Sequence, residues 1–231
     1  MPKLLDSLSF RFLPGCCLLC QKRSGRHHDL CSDCEHDLPW LGVACTQCAL
    51  PVPATHRGAC GDCLKLPPVQ DASRAVFRYG WPLDSLIQRF KFNGDHAAGR
   101  TLGELFAQGV RARTPLPDCL LPVPLHSRRL RERGFNQSEL LADSVATKLA
   151  MDVRNDLVER IRETAVQSGM NAVARRRNVR NAFALCAERL PAHIAILDDV
   201  VTTGSTSAEI ARLLRRAGVK RIEVWALARA V

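Results

Sequence analysis

No stretch of this 231-residue chain approaches the run of roughly 18 apolar residues that a membrane-spanning helix requires, so no membrane insertion is expected. An uninterrupted apolar leader is missing too. Leu13-Pro14-Gly15-Cys16 has the outline of a lipoprotein cleavage site, but Asp6 and Arg11 break the segment before it, and the chain reads as cytoplasmic. Neither G-x-x-x-x-G-K nor G-x-G-x-x-G occurs, which removes P-loop and dinucleotide-binding classes. Acidic charge is in deficit: 33 Lys and Arg against 23 Asp and Glu leave a formal charge of +10. That balance points to polyanions or phosphorylated ligands without choosing between them.

Cysteine, by contrast, is abundant and localised. Nine of the eleven lie in the first 63 residues, and eight form Cys-x-x-Cys pairs: Cys17/Cys20, Cys31/Cys34, Cys45/Cys48 and Cys60/Cys63. The pairs are separated by ten, ten and eleven residues. In a reducing compartment such spacing indicates zinc rather than disulfides, and two pairs complete one tetrahedral thiolate site. Two structural Zn²⁺ ions are therefore expected, with sequential pairing favoured over an interleaved, RING-like one. Cys16 is the spare and is placed to exchange with Cys17. Because eight thiolates fill two closed sites, His27, His28, His36 and His56 read as surface residues, and Cys119 and Cys186 as isolated buried thiols. A module of this size needs its metal to fold. Leu66-Pro67-Pro68 breaks regular structure and divides the chain into a ribbon module, residues 1–66, and a second domain, residues 72–231.

The second domain has an α/β pattern. Residues 75–79 read as a strand, residues 83–92 as a helix with Leu86, Ile87 and Phe90 inward, residues 100–110 as another helix, and residues 120–123 as a short buried strand. Arg128, Arg129, Arg131 and Arg133 then surround Gly134-Phe135-Asn136-Gln137, which reads as a shaped loop before an amphipathic helix carrying Leu140, Leu141, Val145 and Leu149. Gln167 to Asn181 holds a second basic stretch with Arg175, Arg176, Arg177 and Arg180, either a lid or an ordinary basic helix. Residues 182–185 and 222–228 supply further strands.

The stretch Ile194 to Thr206 organises the rest. Ile194-Ala195-Ile196-Leu197 suggests a strand buried on both faces, as in a parallel sheet. Asp198 and Asp199 follow at its carboxyl end, where open α/β sheets bind ligands. Thr202, Thr203, Gly204, Ser205 and Thr206 form a hydroxyl-rich turn before a helix with Ile210, Leu213, Leu214 and Ala217 on one side, so an anion would sit at a helix N-terminus. A vicinal diol beside a phosphate suits this arrangement. The pattern resembles the ribose-5-phosphate signature of type I phosphoribosyltransferases, in which the acidic pair takes the ribose hydroxyls and the Thr/Gly loop the 5-phosphate.

The cysteine pairs, Phe90-Lys91-Phe92-Asn93-Gly94-Asp95, Arg133 to Gln137, Gln167-Ser168 with Arg176-Arg177-Asn178, and the Asp198-Asp199 loop together resemble the ComF family, also called ComFC or GntX-like. The resemblance covers nearly the whole chain. It implies a double zinc ribbon joined to a type I phosphoribosyltransferase-like parallel sheet flanked by helices, and a role in competence and the use of DNA. Phosphoribosyl pyrophosphate with Mg²⁺ is the implied ligand, and single-stranded DNA and DNA-uptake proteins are the implied partners. Phe92 departs from the tyrosine common in relatives. Were the domain catalytic, pyrophosphate would be displaced at ribose C1, with Asp198 and Asp199 holding the sugar. Candidates for pyrophosphate or nucleic-acid contact are Arg128, Arg129, Arg131, Arg133, Asn136, Gln137, Arg176 and Arg177. Two alternatives stand beside this: a non-catalytic protein that senses nucleotides or holds nucleic acid, and a phosphoribosyltransferase unrelated to DNA uptake.

Overall fold

The computed structural model describes residues 15–26, 28–111, 115–163 and 172–231. Its core is a five-stranded, wholly parallel sheet in the order β1 (Ala72–Arg78), β7 (Arg221–Arg229), β6 (His193–Val201), β2 (Cys119–Pro122) and β3 (Asp152–Val153). β6 is central and apolar on both faces because both are covered. Ala195 and Leu197 join Trp225, Leu227 and Leu120 beneath α3 (Leu83–Asn93), α4 (His96–Val110) and α6 (Gln137–Leu149). Ile194 and Ile196 join Val224, Ala226 and Leu121 beneath α8 (Ser205–Arg216). Each layer excludes water from the apolar stretch of β6 that precedes Asp198.

Several elements differ from the expectation, each through non-local packing. The central strand runs on through both aspartates to Val201, because β7 continues to pair with it as far as Arg229 after β2 has ended opposite Leu197. The arginine-rich segment before Gly134 is not a loop but a seven-residue helix, α5 (Ser127–Arg133), N-capped by His126 and closed by Gly134 at φ 82°. The segment around residue 183 leaves the main sheet. β4 (Val158–Arg160) and β5 (Phe183–Leu185) form a separate antiparallel pair. The second basic stretch contains α7 (Ala172–Val179), which answers the choice between lid and helix for those residues; Gln167-Ser168-Gly169 lie outside the described residues.

The ribbon carries two short helices, α1 (Ser32–His36) and α2 (Gly61–Lys65), each starting just after a cysteine. It sits on the outer edge of β1. Trp40 makes an antiparallel bridge to Phe77, the Leu41 amide donates to Val76 O at 2.9 Å, and the Arg78 amide donates to Pro39 O at 2.7 Å. An edge strand that would otherwise expose unpaired backbone groups is covered. Cys17, Leu30 and Leu38 belong to the same apolar cluster as Phe77 and Phe90. His28 is accordingly not a surface residue: it is 9% exposed, bonded to Glu35 at 2.9 Å and 3.7 Å from Glu104 of α4. Arg100 and Asp29 pair at 2.7 Å in the same seam. Cys119 is buried as expected, whereas Cys186 is exposed.

Candidate functional site

The thiols gather as two tetrads, Cys17/Cys20/Cys31/Cys34 and Cys45/Cys48/Cys60/Cys63, so the pairs combine sequentially. Within them Cys20 and Cys31 sulfurs lie 3.7 Å apart and Cys48 and Cys60 sulfurs 3.8 Å. A zinc–thiolate bond of about 2.3 Å sets tetrahedral sulfurs about 3.8 Å apart, so the donor sets fit structural Zn²⁺. Backbone amides of Gln47 and Cys60 donate to the Cys45 sulfur at 3.4 and 3.1 Å, the arrangement a thiolate ligand needs. Cys16 is exposed and stands outside both tetrads.

The acidic pair and the hydroxyl-rich turn open on one cavity of about 400 Å³ at the carboxyl end of the sheet. β6 outlasts β2 here, which leaves its last residues open on that side. Asp198 and Asp199 both line the cavity although they are neighbours on a strand. Each carboxylate also folds back on the chain: Asp198 Oδ1 accepts from the Asp199 amide at 2.9 Å, and Asp199 Oδ1 from the Val200 amide at 2.7 Å. The turn is set by Gly204 at φ 71° and ψ 11°, immediately before α8. A Cβ there would meet nothing closer than 3.8 Å, so glycine is required by the left-handed backbone and not by crowding within the chain. Thr203 Oγ1 and Ser205 Oγ lie 2.8 Å apart across the turn.

Charge is arranged in opposition. Desolvation of the Asp198 carboxyl, with the negative Asp199 beside it, pushes its pKa up to about 7 against the pull of Lys91. Lys91, from α3, forms an ion pair with Asp199. Across the cavity stand Arg129 and Arg133 of α5 and Arg160 of β4. Burial lowers the pKa of Arg133, partly offset by Asp199, and burial together with Arg129 lowers that of Arg160. Three guanidinium groups beside two carboxylates form a site that can take both an anion and hydroxyls. Gln137 lines the same space; it is 4% exposed and its side-chain nitrogen lacks a hydrogen-bond partner among the described residues.

The remaining expected residues separate cleanly. Asp198, Asp199 and Thr202 to Thr206 line the cavity together with Arg129, Arg133 and Gln137. Arg128 and Arg131 are exposed and turned elsewhere, Arg128 pairing with Glu132 at 3.0 Å and Glu163 at 3.3 Å. Asn136 is a helix cap: its amide nitrogen donates to Val123 O and its oxygen accepts from the Ser138 amide, both at 3.1 Å. Arg177 is exposed on α7 and does not line the cavity, while the side chain of Arg176 lies outside the described residues. Phe135 packs on Phe90 with ring centroids 5.5 Å apart and belongs to the core. Sequence reasoning missed Lys91, Arg160 and Tyr79. Lys91 lay inside a quoted motif, but Arg160, on a three-residue strand, carried no local signal.

These features define an α/β protein with a double zinc ribbon on its sheet edge and a crevice lined by arginines and carboxylates at the carboxyl end of its strands. Residues 9–64 match the family model described as a double zinc ribbon domain. Competence protein F of Haemophilus influenzae is 41% identical over 212 residues, covering 87% of this chain and 90% of that one. The DNA utilization protein YhgH of Salmonella typhi is 41% identical over 224 residues, 94% and 98% of the two chains, and competence protein ComFC of Streptococcus pneumoniae is 28% identical over 203 residues, 87% of each. The chain belongs to the ComF family.

Proposed function

We propose that the cavity binds a 5-phosphoribosyl ligand, phosphoribosyl pyrophosphate with Mg²⁺ foremost, in the service of DNA use, the role for which its relatives are named. The observation that carries this reading is the shared cavity: an acidic pair, a hydroxyl-rich turn at the start of α8 and three arginines face one space. The turn supplies amides and hydroxyls to a phosphate and Asp198 and Asp199 accept from a diol. Arg129, Arg133 and Arg160 offset a pyrophosphate. Gln137 contributes a donor that is otherwise unsatisfied, a cost a ligand oxygen removes. Asp198 and Asp199 are the carboxylates among the lining residues and offer the hard oxygens Mg²⁺ prefers. The division into a ribbon over residues 1–66 and a ligand domain over residues 72–231 is part of this proposal.

A second element of the reading is contact with single-stranded DNA at the cavity mouth. It is favoured by Phe92, which lines the cavity and is 73% exposed, with the Arg133 guanidinium 5.6 Å from its ring centre. Exposed rings and arginines stack on bases of any sequence.

Calorimetry with ribose 5-phosphate, and with phosphoribosyl pyrophosphate and Mg²⁺, tests the cavity. Asp199→Asn and Gln137→Ala should each weaken binding about ten- to a hundredfold, the range for losing a hydrogen bond to a charged group. Affinities within twofold of the unsubstituted protein in both variants reject the site. Release of pyrophosphate in the presence of an acceptor separates a transferase from a binding protein.

A further inference from the structure

Arg229, the last residue of β7, is 7% exposed and belongs neither to the cavity lining nor to any motif. Its Nε donates to the carbonyl of Cys48 at 2.9 Å. Its Nη1 donates to the carbonyls of Val201 at 3.0 Å and Ala230 at 2.6 Å, and also to that of Thr202. One guanidinium thus joins a member of the second cysteine tetrad to the last residue of β6 and the first residue of the hydroxyl-rich turn. A buried cation is costly unless its donors are satisfied, so these carbonyls are held where the guanidinium needs them. The same seam contains a further cavity, of about 360 Å³, lined by Cys48 and Arg229 together with Gly204 and Ser205. The guanidinium lines this space and holds the Thr202 carbonyl at the start of the turn.

We propose that Arg229 is a positioning residue through which the filled second tetrad, Cys45/Cys48/Cys60/Cys63, fixes the conformation of the phosphate turn. The first tetrad is tied to the domain through other elements. Its segment bonds to α3 and α4, where Leu18 O accepts from Arg89 at 2.7 Å and Asp29 pairs with Arg100. The ribbon is then a working part of the ligand site and not a separate docking module. The consequence for ligand affinity rests on the phosphoribosyl reading; the consequence for the turn does not.

The test uses the full-length, zinc-loaded chain and reads metal content, amide hydrogen exchange and ribose 5-phosphate affinity together. Arg229→Gln should retain two equivalents of zinc while the amides of Thr203, Gly204 and Ser205 exchange about tenfold faster, as local opening of the turn requires. Affinity should fall by a similar factor, and Arg229→Lys, which keeps a cation but reaches fewer carbonyls, should recover part of both. Cys63→Ser should loosen the turn as Arg229→Gln does, and Cys34→Ser should leave it at the unsubstituted rate. Unchanged exchange in Arg229→Gln with both zinc ions retained overturns the proposal, as does equal loosening by Cys34→Ser in a folded protein. If the unsubstituted chain binds no ribose 5-phosphate yet the exchange pattern holds, the ligand reading fails and the coupling stands.

Discussion

Asp198 shows how a single residue takes its chemistry from its surroundings. A free aspartate titrates near 3.9, and here desolvation and the charge of Asp199 carry the group to about 7. The folded pKa lies above the unfolded one, so the ionised form is the disfavoured one. The stability this group contributes is complete below about 4 and is lost as pH rises through about 7. A diol needs the carboxylate as acceptor, so ligand binding should strengthen over the same interval. Carboxyl-carbon NMR should place the Asp198 midpoint near 7, and Asp199→Asn should move it downwards by removing the neighbouring charge. A midpoint in the ordinary aspartate range would exclude the buried-pair description. At this scale the sequence was informative only where a signal was local. The acidic pair and the turn could be read directly, whereas Lys91 and Arg160 reach the cavity from α3 and β4 and only the fold brings them there.

At the scale of elements, the helices under the sheet depend on close approach. A Cβ on Gly99 of α4 would fall 2.5 Å from the Phe90 ring of α3, and Phe90 is 1% exposed with no room to yield. Gly99→Ala should therefore destabilise the fold by about 1–3 kcal/mol through overpacking, in spite of alanine's better helix propensity. Denaturant unfolding measures this, and a variant as stable as the parent would mean that α3 and α4 pack more loosely than described. Helices and buried strands were legible because their apolar periodicity is local. α3, α6 and α8 appear within a few residues of where periodicity puts them. The start of α4 was missed by four residues, since its first turn, His96-Ala97-Ala98-Gly99, lacks the large apolar residues that mark periodicity; its cap, Asp95, accepts from the Ala98 amide at 3.0 Å and pairs with Arg89. Strand order and the separate β4–β5 pair were not legible, because pairing partners are chosen by tertiary contacts that leave no mark in one strand's composition.

Over the whole molecule, the arginines that the sequence offered as one set of anion-contact candidates separate by position. Arg129, Arg133 and Arg160 face the cavity, while Arg131 and Arg177 are exposed outside it. On the proposed reading, a small anion answers to the first group and a polymer to the second. Each phosphate neutralised along a single strand releases condensed counterions and adds about 0.7 to the slope of log affinity against log salt. Arg131→Ala with Arg177→Ala should therefore flatten that slope for single-stranded DNA by up to about 1.4 while leaving ribose 5-phosphate binding unchanged. Arg160→Ala should do the reverse, weakening phosphoribosyl pyrophosphate with Mg²⁺ and sparing the slope. Phe92→Ala supplies a control independent of charge: loss of a stacking platform lowers DNA affinity by about 1–3 kcal/mol at every salt concentration, without altering the slope. If the two arginine groups move both ligands alike, cavity and outer surface form one continuous anion-binding track, and the separation drawn from their side-chain positions is wrong.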